Sequence, residues 1–461
     1  MAGKKQSSTS AKPGPGPGSS SAKGATKRIQ QQQKETLRKY DLAADEEGAG
    51  GEELRHRQQT LLNIFSSAFR DVLGAEDFSA RLQDLKTALF NRDFAAAFAR
   101  EDALDVYAAR WSPTRALCYG RVLRGLGTHL RGLVEEDASS SVRNGDGGDD
   151  DAACDEKDGD DAEDVAADRE SKDSGALPKD QAEQEAIGSK TTPCLKVLAI
   201  GGGAAELVAF ADYISSLDTT TTRCEITLVD IGPWAGVVQK LQTALTSPPV
   251  LSRYASAAVA AASKALVARD RLVSRFVQGD ILALGRDELE RLVGERGGNK
   301  GGGIREEGEG EKKRGSKPIL ITLLFTLNEL YTAGGIKRTT AFLRLLSTIA
   351  VPGTLLLVVD SPGSYSEAAV GKDAKRYPMQ WLLDHTLVPP PSPKKPGTKT
   401  AAEVRSVEDE AAPNAEANGV RWEKIESHDS VWFRVAEGLS YPIALENMRY
   451  QVHLYRAARS E

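Results

Sequence analysis

The sequence predicts an α/β fold in which helices cover both faces of a mostly parallel sheet. Apolar runs rich in Val, Ile and Leu recur in the C-terminal part of the chain, and they alternate with segments whose apolar residues have helical spacing. Such runs are typical of strands that are buried on both faces. The first run breaks into three glycines before a helical segment begins. That order is typical of a strand, a tight turn and a helix N-terminus.

Five runs are predicted strands of the parallel sheet, and they span 195–200, 225–230, 273–280, 318–325 and 353–360. Helices are predicted between them, at about 204–216, 235–246, 253–268 and 335–349. Two further strands, around 431–434 and 447–455, are separated by only a short loop. This spacing predicts an antiparallel hairpin at the edge of the sheet.

The glycine turn after the first strand consists of Gly201, Gly202 and Gly203. Such a turn lets backbone N–H groups at a helix N-terminus approach a nucleotide-like ligand. A dinucleotide fingerprint has a third glycine at the position of Glu206. A carboxylate there would repel a pyrophosphate, so the turn favours S-adenosylmethionine (SAM), which has no phosphates. A nicotinamide-dependent oxidoreductase stays open as an alternative.

Asp230 ends the second strand and supports the same interpretation. In a doubly wound fold, a carboxylate at this position accepts hydrogen bonds from the hydroxyls of a bound ribose. The sequence therefore predicts a nucleotide-cofactor site built from the first two strands and the turn between them.

Composition excludes several other classes of protein. The four cysteines, at 118, 154, 194 and 224, have no CxxC spacing, which argues against a zinc site or a disulfide framework and for a reducing compartment. The five histidines show no ligand spacing either. Because no apolar run approaches the length of a membrane span, we expect a soluble intracellular protein without a metal.

Charge is distributed unevenly along the chain, whose formal net charge is −6. Residues 135–190 hold 20 Asp or Glu and 6 Lys or Arg, and they include no aromatic residue. A segment of this kind cannot build a core, so we expect a disordered linker. The rest of the chain is mildly basic, which permits a polyanionic partner.

These shifts in composition predict the domain organisation. We expect a disordered basic and polar tail over 1–50, a helical domain over 51–132, the acidic linker over 133–190 and a cofactor-binding domain over 191–461. Two inserts, 297–317 and 389–418, are rich in Gly, Lys, Glu and Pro and are predicted to be disordered surface loops.

The segments 201–203, 324–331 and 445–455, together with 55–65 and 111–119, resemble a fungal family of SAM-dependent methyltransferases. That family includes the enzyme that methylates N3 of a uridine in yeast large-subunit (25S) ribosomal RNA. The resemblance implies a class I, Rossmann-like methyltransferase fold with a seven-stranded sheet. The chain departs from the common pattern of SAM enzymes at Ala199, where they carry an acidic residue, and at Ala205, where they carry a glycine.

The resemblance also implies roles for residues at the ends of the third and fourth strands. Asp280 corresponds to a carboxylate that accepts a hydrogen bond from the adenine amino group. From the departures at Ala199 and Ala205 we infer separately that Glu206, after the first strand, takes over a charge role near the methionine amino group. Methylation of uracil N3 requires loss of the ring proton, so Glu329 is the candidate general base and Asn328 could hold a uracil carbonyl. The candidate substrate-binding residues are Phe325 and Tyr331, with Tyr331 stacking on a base extruded from the RNA.

The expected partner is ribosomal RNA of the pre-60S large subunit. The expected location is the nucleus or nucleolus, with the cytoplasm as the alternative. We expect the chain to be a monomer. Two alternatives stay open. The first is a methyltransferase that acts on another base or on a protein. The second is a non-catalytic ribosome-assembly scaffold, for which the alanines at 199 and 205 would mark a degenerate SAM site.

Overall fold

The computed structural model describes residues 49–142, 192–217, 221–251, 254–258, 263–294, 317–362, 367–370, 375–388 and 419–459. Most of the predicted tail, the acidic linker beyond 142 and nearly all of both predicted inserts lie outside these ranges. No helix among the described residues is long and apolar enough to cross a membrane.

A seven-stranded sheet forms the centre of the molecule. Its strands are β1 (Cys194–Ile200), β2 (Arg223–Asp230), β3 (Leu272–Gln278), β4 (Leu320–Leu324), β5 (Leu355–Asp360), β8 (Arg421–Phe433) and β9 (Met448–Ala458). The strand order is β3-β2-β1-β4-β5-β9-β8. β1 to β5 are parallel, whereas β9 pairs antiparallel with both β5 and β8. This confirms the predicted fold class, including the antiparallel pair at the edge of the sheet.

A second, two-stranded sheet follows β5 and pairs β6 (Glu367–Val370) with β7 (Lys375–Pro378). Helices connect the strands of the main sheet. They are α8 (Ala204–Ser215), α9 (Ala235–Thr246), α10 (Arg286–Gly294), α11 (Leu327–Thr332), α12 (Ile336–Ile349) and α13 (Met379–Leu387). A short 3-10 helix, Ile281–Ala283, follows β3.

Within residues 49–142 the structure describes seven helices before β1. They are α1 (Ala49–Ala68), α2 (Arg70–Leu73), α3 (Phe78–Phe90), α4 (Phe94–Phe98), α5 (Glu101–Arg110), α6 (Ser112–Gly125) and α7 (Gly127–Val142). They share one hydrophobic core with β1, α8 and α9. The chain segments on the two sides of the acidic stretch therefore pack together, and α7 continues past position 132. The domain boundaries themselves stay a prediction.

The predicted helix at 253–268 is wrong over its second half. Residues 263–265 have no regular structure, and a bend and a turn lead from there into β3. The segment is rich in Ala and Ser. Because these small side chains bury little apolar surface, helical spacing alone gives the segment no face to pack on the sheet.

The strand order places a crevice at the carboxyl edge of the sheet. The chain runs outward from β1 through β2 to β3, then returns to the other side of β1 with β4. Loops after β1 and β4 therefore diverge to opposite faces, and ligands of open α/β sheets bind at such a switch point.

Candidate active site

A cavity of about 550 Å³ opens at this switch point. Residues at the ends of β1, β2, β3 and β4 line one side of it, and residues of α4, α5 and α6 line the other. The volume lies within the range of small-molecule and cofactor sites. The N-terminal helices therefore form part of the wall of the cavity and do not merely flank the sheet.

The glycine turn after β1 leaves room that any larger residue would fill. Gly201 has a φ of 66°, and a Cβ atom there would lie 2.3 Å from Oγ1 of Thr326. A Cβ atom on Gly203 would approach the indole of Trp234 to 3.0 Å. Gly201 and Gly203 both line the cavity. Gly202 does not line the cavity, and a Cβ atom on it would point at Ala199 and Leu228 in the core.

Glu206 holds this turn in place from the first turn of α8. Its Oε2 accepts a hydrogen bond of 2.9 Å from the backbone N–H of Gly203. The side chain lines the cavity but is otherwise buried. Burial raises the pKa of Glu206 to about 7, and the hydrogen bond from Gly203 opposes the shift. The carboxyl group is therefore poised between its neutral and charged forms near neutral pH.

Asp230 and Asp280 reach the cavity from the ends of β2 and β3. Oδ1 of Asp230 accepts a hydrogen bond of 2.7 Å from the N–H of Gly232, and burial raises the pKa of Asp230 to about 6. Asp280 has partners on both oxygens, the N–H of Leu282 and the guanidinium of Arg338, each at 2.9 Å. Each of these oxygens still has a second lone pair for a ligand.

Glu329 lies in the first turn of α11, beyond the end of β4, and its side chain faces the cavity. Burial raises the pKa of Glu329 to about 7, while the positive charge of Arg115 opposes the shift. Phe325, at the start of the same loop, has a φ of 58° and also lines the cavity. A positive φ is uncommon for a bulky residue, and strain of this kind is concentrated at functional sites.

Two residues predicted to contact the substrate lie elsewhere. Tyr331 is only 3% exposed and packs with Leu327 and Phe342 in the core on the α12 side of the sheet. The prediction that it stacks on a base is therefore wrong in this structure, because the short α11 turns Tyr331 away from the cavity that Glu329 faces. The side chain of Asn328 does not line the cavity, and its backbone N–H donates to Oδ2 of Asp360 at 3.0 Å.

Sequence reasoning missed the residues that α5 and α6 contribute, above all Arg115. Nη1 of Arg115 donates to the hydroxyl of Tyr107, and its guanidinium lies 5.1 Å from the ring centroid of Phe325. Tyr119 contacts the same phenylalanine, with 6.3 Å between ring centroids. The sequence of 111–119 contributes to the family resemblance but does not by itself indicate a role at the site. Its place above the glycine turn depends on tertiary packing, which periodicity does not reveal.

The charges around the cavity fit SAM. Arg115 and Glu206 present a guanidinium and a carboxylate beside the glycine turn, which complements the carboxylate and ammonium of an amino acid. Asp230 and Asp280 supply acceptors on the side of β2 and β3, where a ribose and a purine would lie. The described residues contain no group of three or more His, Cys, Asp or Glu arranged to hold a metal ion.

Comparison with solved structures gives distant matches. A SAM-dependent methyltransferase from Methanosarcina mazei is 9% identical, with a TM-score of 0.28 and coverage of 57% of this chain and 93% of the other. An O-methyltransferase family protein from Burkholderia thailandensis is 8% identical, with a TM-score of 0.27 and coverage of 84% and 74%. The fold assignment rests on the strand order described above.

Comparison of sequences is more informative. A curated relative from Saccharomyces cerevisiae (strain ATCC 204508 / S288c), named 25S rRNA (uridine(2843)-N(3))-methyltransferase, is 26% identical over 422 residues, which cover 86% of this chain and 85% of the relative. The sequence model of one family, described as "Putative SAM-dependent methyltransferase", matches residues 65–456. That match begins near the end of α1 and spans the other N-terminal helices, nearly all of the sheet and the residues that line the cavity. The chain belongs to this family and is a SAM-dependent methyltransferase.

Proposed function

We propose that this enzyme transfers the methyl group of SAM to N3 of a uridine in large-subunit (25S) ribosomal RNA. The observation that carries the proposal is the carboxyl group of Glu329, which faces the cavity at the end of β4. Uracil N3 carries a proton and becomes a nucleophile once that proton is removed, so its methylation needs a base at this position. The name of the yeast relative supports the choice of uridine and of 25S rRNA.

Residues on the β1, β2 and β3 side of the cavity hold the cofactor in this proposal. Glu206 accepts from the methionine ammonium, and Arg115 donates to the methionine carboxylate. Asp230 accepts from the ribose hydroxyls, and Asp280 accepts from the adenine amino group. When bound, the cofactor supplies an electrophilic methyl group on a sulfonium centre. Gly201 and Gly203 let the backbone approach it closely.

The other residues of the cavity align the base and remove its proton. The ring of Phe325 gives an aromatic surface for the extruded uracil, and Tyr119 packs beside that ring. The carboxylate of Glu329 takes the proton from N3, and the nitrogen lone pair left behind would be the nucleophile toward the methyl group that bound SAM would supply. Alignment and proton removal together account for the catalysis. For the side chain of Asn328 to hold a uracil carbonyl, the segment after β4 would have to rearrange when RNA binds.

Replacement of Glu329 tests the proposal. The purified chain, incubated with labelled SAM and deproteinised 25S rRNA, is expected to form N3-methyluridine. Glu329→Gln is expected to lower kcat by about 10² to 10⁴ and to leave the affinity for S-adenosylhomocysteine nearly unchanged. Glu290→Gln, on the exposed side of α10, is the matched control. Mass spectrometry of the digested nucleosides identifies the product.

Two results would contradict the proposal. Label on another base, or on protein but not RNA, would move the activity to the alternative substrates. Binding of S-adenosylhomocysteine with no turnover on any RNA would favour the scaffold alternative.

The proposed substrate also sets the expected location and partner. Methylation of precursor ribosomal RNA places the enzyme on pre-60S particles in the nucleus or nucleolus, and an enzyme of mature subunits would be cytoplasmic. We expect the chain to act as a monomer, because the described residues of a single chain already supply every group named above. Sedimentation of the tagged chain with pre-60S or mature 60S particles separates the two locations.

A further inference from the structure

An exposed tryptophan lies on the outer strand of the sheet, away from the cavity. Trp432 is 48% exposed on β8, whereas its neighbours Val431 and Phe433 are 3% and 1% exposed. The indole therefore points away from the core that anchors the strand on either side. A single exposed aromatic side chain is ordinary on a protein surface, so the groups around Trp432 decide whether it forms a binding surface.

Two arginines lie against the ring of Trp432. The guanidinium carbons of Arg434 and Arg449 are 5.7 Å and 5.9 Å from the ring centroid, within the range of cation–π contacts. Arg449 is the register partner of Trp432 on β9, and its Nε also donates to Oγ of Ser430 at 2.7 Å. We call these three residues, Trp432, Arg434 and Arg449, the Trp432 platform.

The two guanidiniums of the platform are not neutralised by acidic side chains. Within the described ranges, neither Arg434 nor Arg449 has a carboxylate oxygen within 4.0 Å, although other arginines of the chain are paired in this way. Both side chains are exposed. The platform therefore combines a flat aromatic surface with two fixed positive charges that are available to an anionic partner.

The platform lies at the same edge of the sheet as the cavity. Gln451 of β9 is paired with Asp360, the last residue of β5, so Arg449 and Trp432 extend past the carboxyl end of that strand. Phe325 and Glu329 follow the carboxyl end of β4, which is the neighbour of β5. Three strand spacings separate β4 from β8, which is roughly 15 Å. A single nucleic-acid strand can cover that distance.

We propose that the Trp432 platform binds the single-stranded RNA that flanks the target uridine. One base stacks on the indole, and adjacent phosphates pair with Arg434 and Arg449. This inference rests on the proposed RNA substrate and assigns a second contact surface on it. An indole flanked by guanidiniums suits the planar base and charged backbone of RNA better than an acidic peptide, which offers charge without a planar surface.

Binding of RNA by platform variants tests the inference. Fluorescence anisotropy with a labelled uridine-rich RNA oligonucleotide, and KM with deproteinised 25S rRNA, are the readouts. Trp432→Ala is expected to weaken RNA binding about tenfold, and Trp432→Phe to restore most of the affinity. The Arg434→Gln, Arg449→Gln double variant removes two phosphate contacts and is expected to reduce the magnitude of the slope of log affinity against log salt by about 1.4. Trp381→Ala, an exposed tryptophan on α13, is the matched control.

Affinity for S-adenosylhomocysteine reports that each variant is folded with an intact cavity, and it is expected to be unchanged. Wild-type affinity and KM for RNA in Trp432→Ala and in the double arginine variant would overturn the inference. Normal binding of free RNA with loss of binding to large-subunit particles would also overturn it, because the surface would then meet a protein. Failure of the proposed function is seen separately, in the nucleoside that the wild-type enzyme produces.

Discussion

Gly201 sits where the backbone and a neighbouring side chain both exclude a larger residue. Its φ of 66° strains any residue with a Cβ atom, and that atom would lie 2.3 Å from Thr326. Gly201→Ala is therefore expected to cost about 1 to 3 kcal/mol of local strain and to weaken binding of S-adenosylhomocysteine by tenfold or more. A Cβ atom on Gly132 would have no neighbour within 4 Å. Gly132→Ala is therefore the control in both measurements, titration calorimetry and thermal unfolding.

Arg115 is the residue through which the N-terminal helices act on the cavity. Its planar guanidinium stacks near Phe325 while it donates to Tyr107, and a lysine ammonium cannot make both contacts. We expect Arg115→Lys to weaken S-adenosylhomocysteine binding about tenfold, and Arg115→Gln to weaken it further. Arg291→Lys, on the exposed surface of α10, should leave the Kd unchanged. An unchanged Kd in both Arg115 variants would remove Arg115 from the cofactor site.

Among single residues, the position in the fold could be predicted from sequence where the order of elements fixes it, while the role as a cofactor contact stays a prediction. Gly201, Gly203 and Asp230 lie at the ends of strongly apolar strands, so their meeting at the sheet edge follows from the order of elements. Tyr331 was misplaced because a residue two positions from Glu329 on a short helix faces the opposite side. Arg115 was missed because it reaches the cavity from a helix far away in sequence.

At the scale of elements, one buried carboxylate joins three helices. Asp212 of α8 is 1% exposed and accepts from Arg57 of α1 and Arg124 of α6. Nη2 of Arg57 also donates to Oγ of Ser215 at 2.6 Å. This cluster lies beside the packing of α6 on α8, where a Cβ atom on Gly120 would lie 2.8 Å from Oδ2 of Asp212. The cluster therefore holds α6 in position against α8, and Arg115 belongs to α6.

Loss of this carboxylate is expected to loosen the helices. Asp212→Asn leaves two arginines facing a neutral group, and we expect a loss of about 2 to 3 kcal/mol in the free energy of unfolding. Urea denaturation measures it, with the exposed Asp71→Asn as control. A change within about 0.5 kcal/mol for Asp212→Asn would mean that the cluster is dispensable for the packing of α1 and α6.

The elements of the sheet were more predictable than the helices. Strands β4 and β5 are buried on both faces along their whole length, and β1 over its second half, so their apolar runs could be recognised one by one. In β2, buried residues mostly alternate with part-exposed ones, and its end was marked by Asp230. The position of the edge hairpin was predicted, but the length of its first strand was not. β8 extends from Arg421 to Phe433, and buried residues are mixed with exposed and part-exposed ones along it. No continuous apolar run therefore marks its first half. Residues 263–268 show the reverse error, in which alanine spacing suggested a helix without a surface to bury.

At the scale of the whole molecule, burial raises the pKa values of several carboxyl groups that line the cavity or lie close to Glu329. The pKa values of Glu206 and Glu329 are raised to about 7, and those of Asp230 and Asp360 to about 6. A carboxyl whose pKa is raised in the folded state favours folding in acid and loses that contribution as the pH rises through the folded pKa. These groups should therefore make the ligand-free enzyme less stable above about pH 7 than it is below about pH 4.

Glu329→Gln is expected to remove part of this pH dependence. The variant and the wild type should have similar unfolding free energies near pH 4, where the glutamate is protonated in both states. Near pH 8 the variant should be more stable by on the order of 2 kcal/mol. Urea denaturation at the two pH values measures this difference. A constant difference across the range would contradict the burial of an ionisable group at this position.

The proposed catalysis requires the charged form of Glu329, which is the form that burial disfavours. In the proposed mechanism Glu329 is the general base, so the rate of the wild-type enzyme should rise with pH and level off above the pKa of about 7. The group that destabilises the ligand-free fold at neutral pH is then the group that removes the proton. Such exchange of stability for activity is common at enzyme sites.

The most direct measurement is the content of N3-methyluridine in 25S rRNA from a yeast strain that lacks its own uridine(2843)-N(3) methyltransferase and expresses this chain. We predict that the wild-type chain restores the modified nucleoside and that the Glu329→Gln chain, present at equal level and able to bind S-adenosylhomocysteine, does not. Unmodified 25S rRNA with a folded, cofactor-binding wild-type chain, or a methyl group on a different base, would contradict the assignment of uridine N3 as the target.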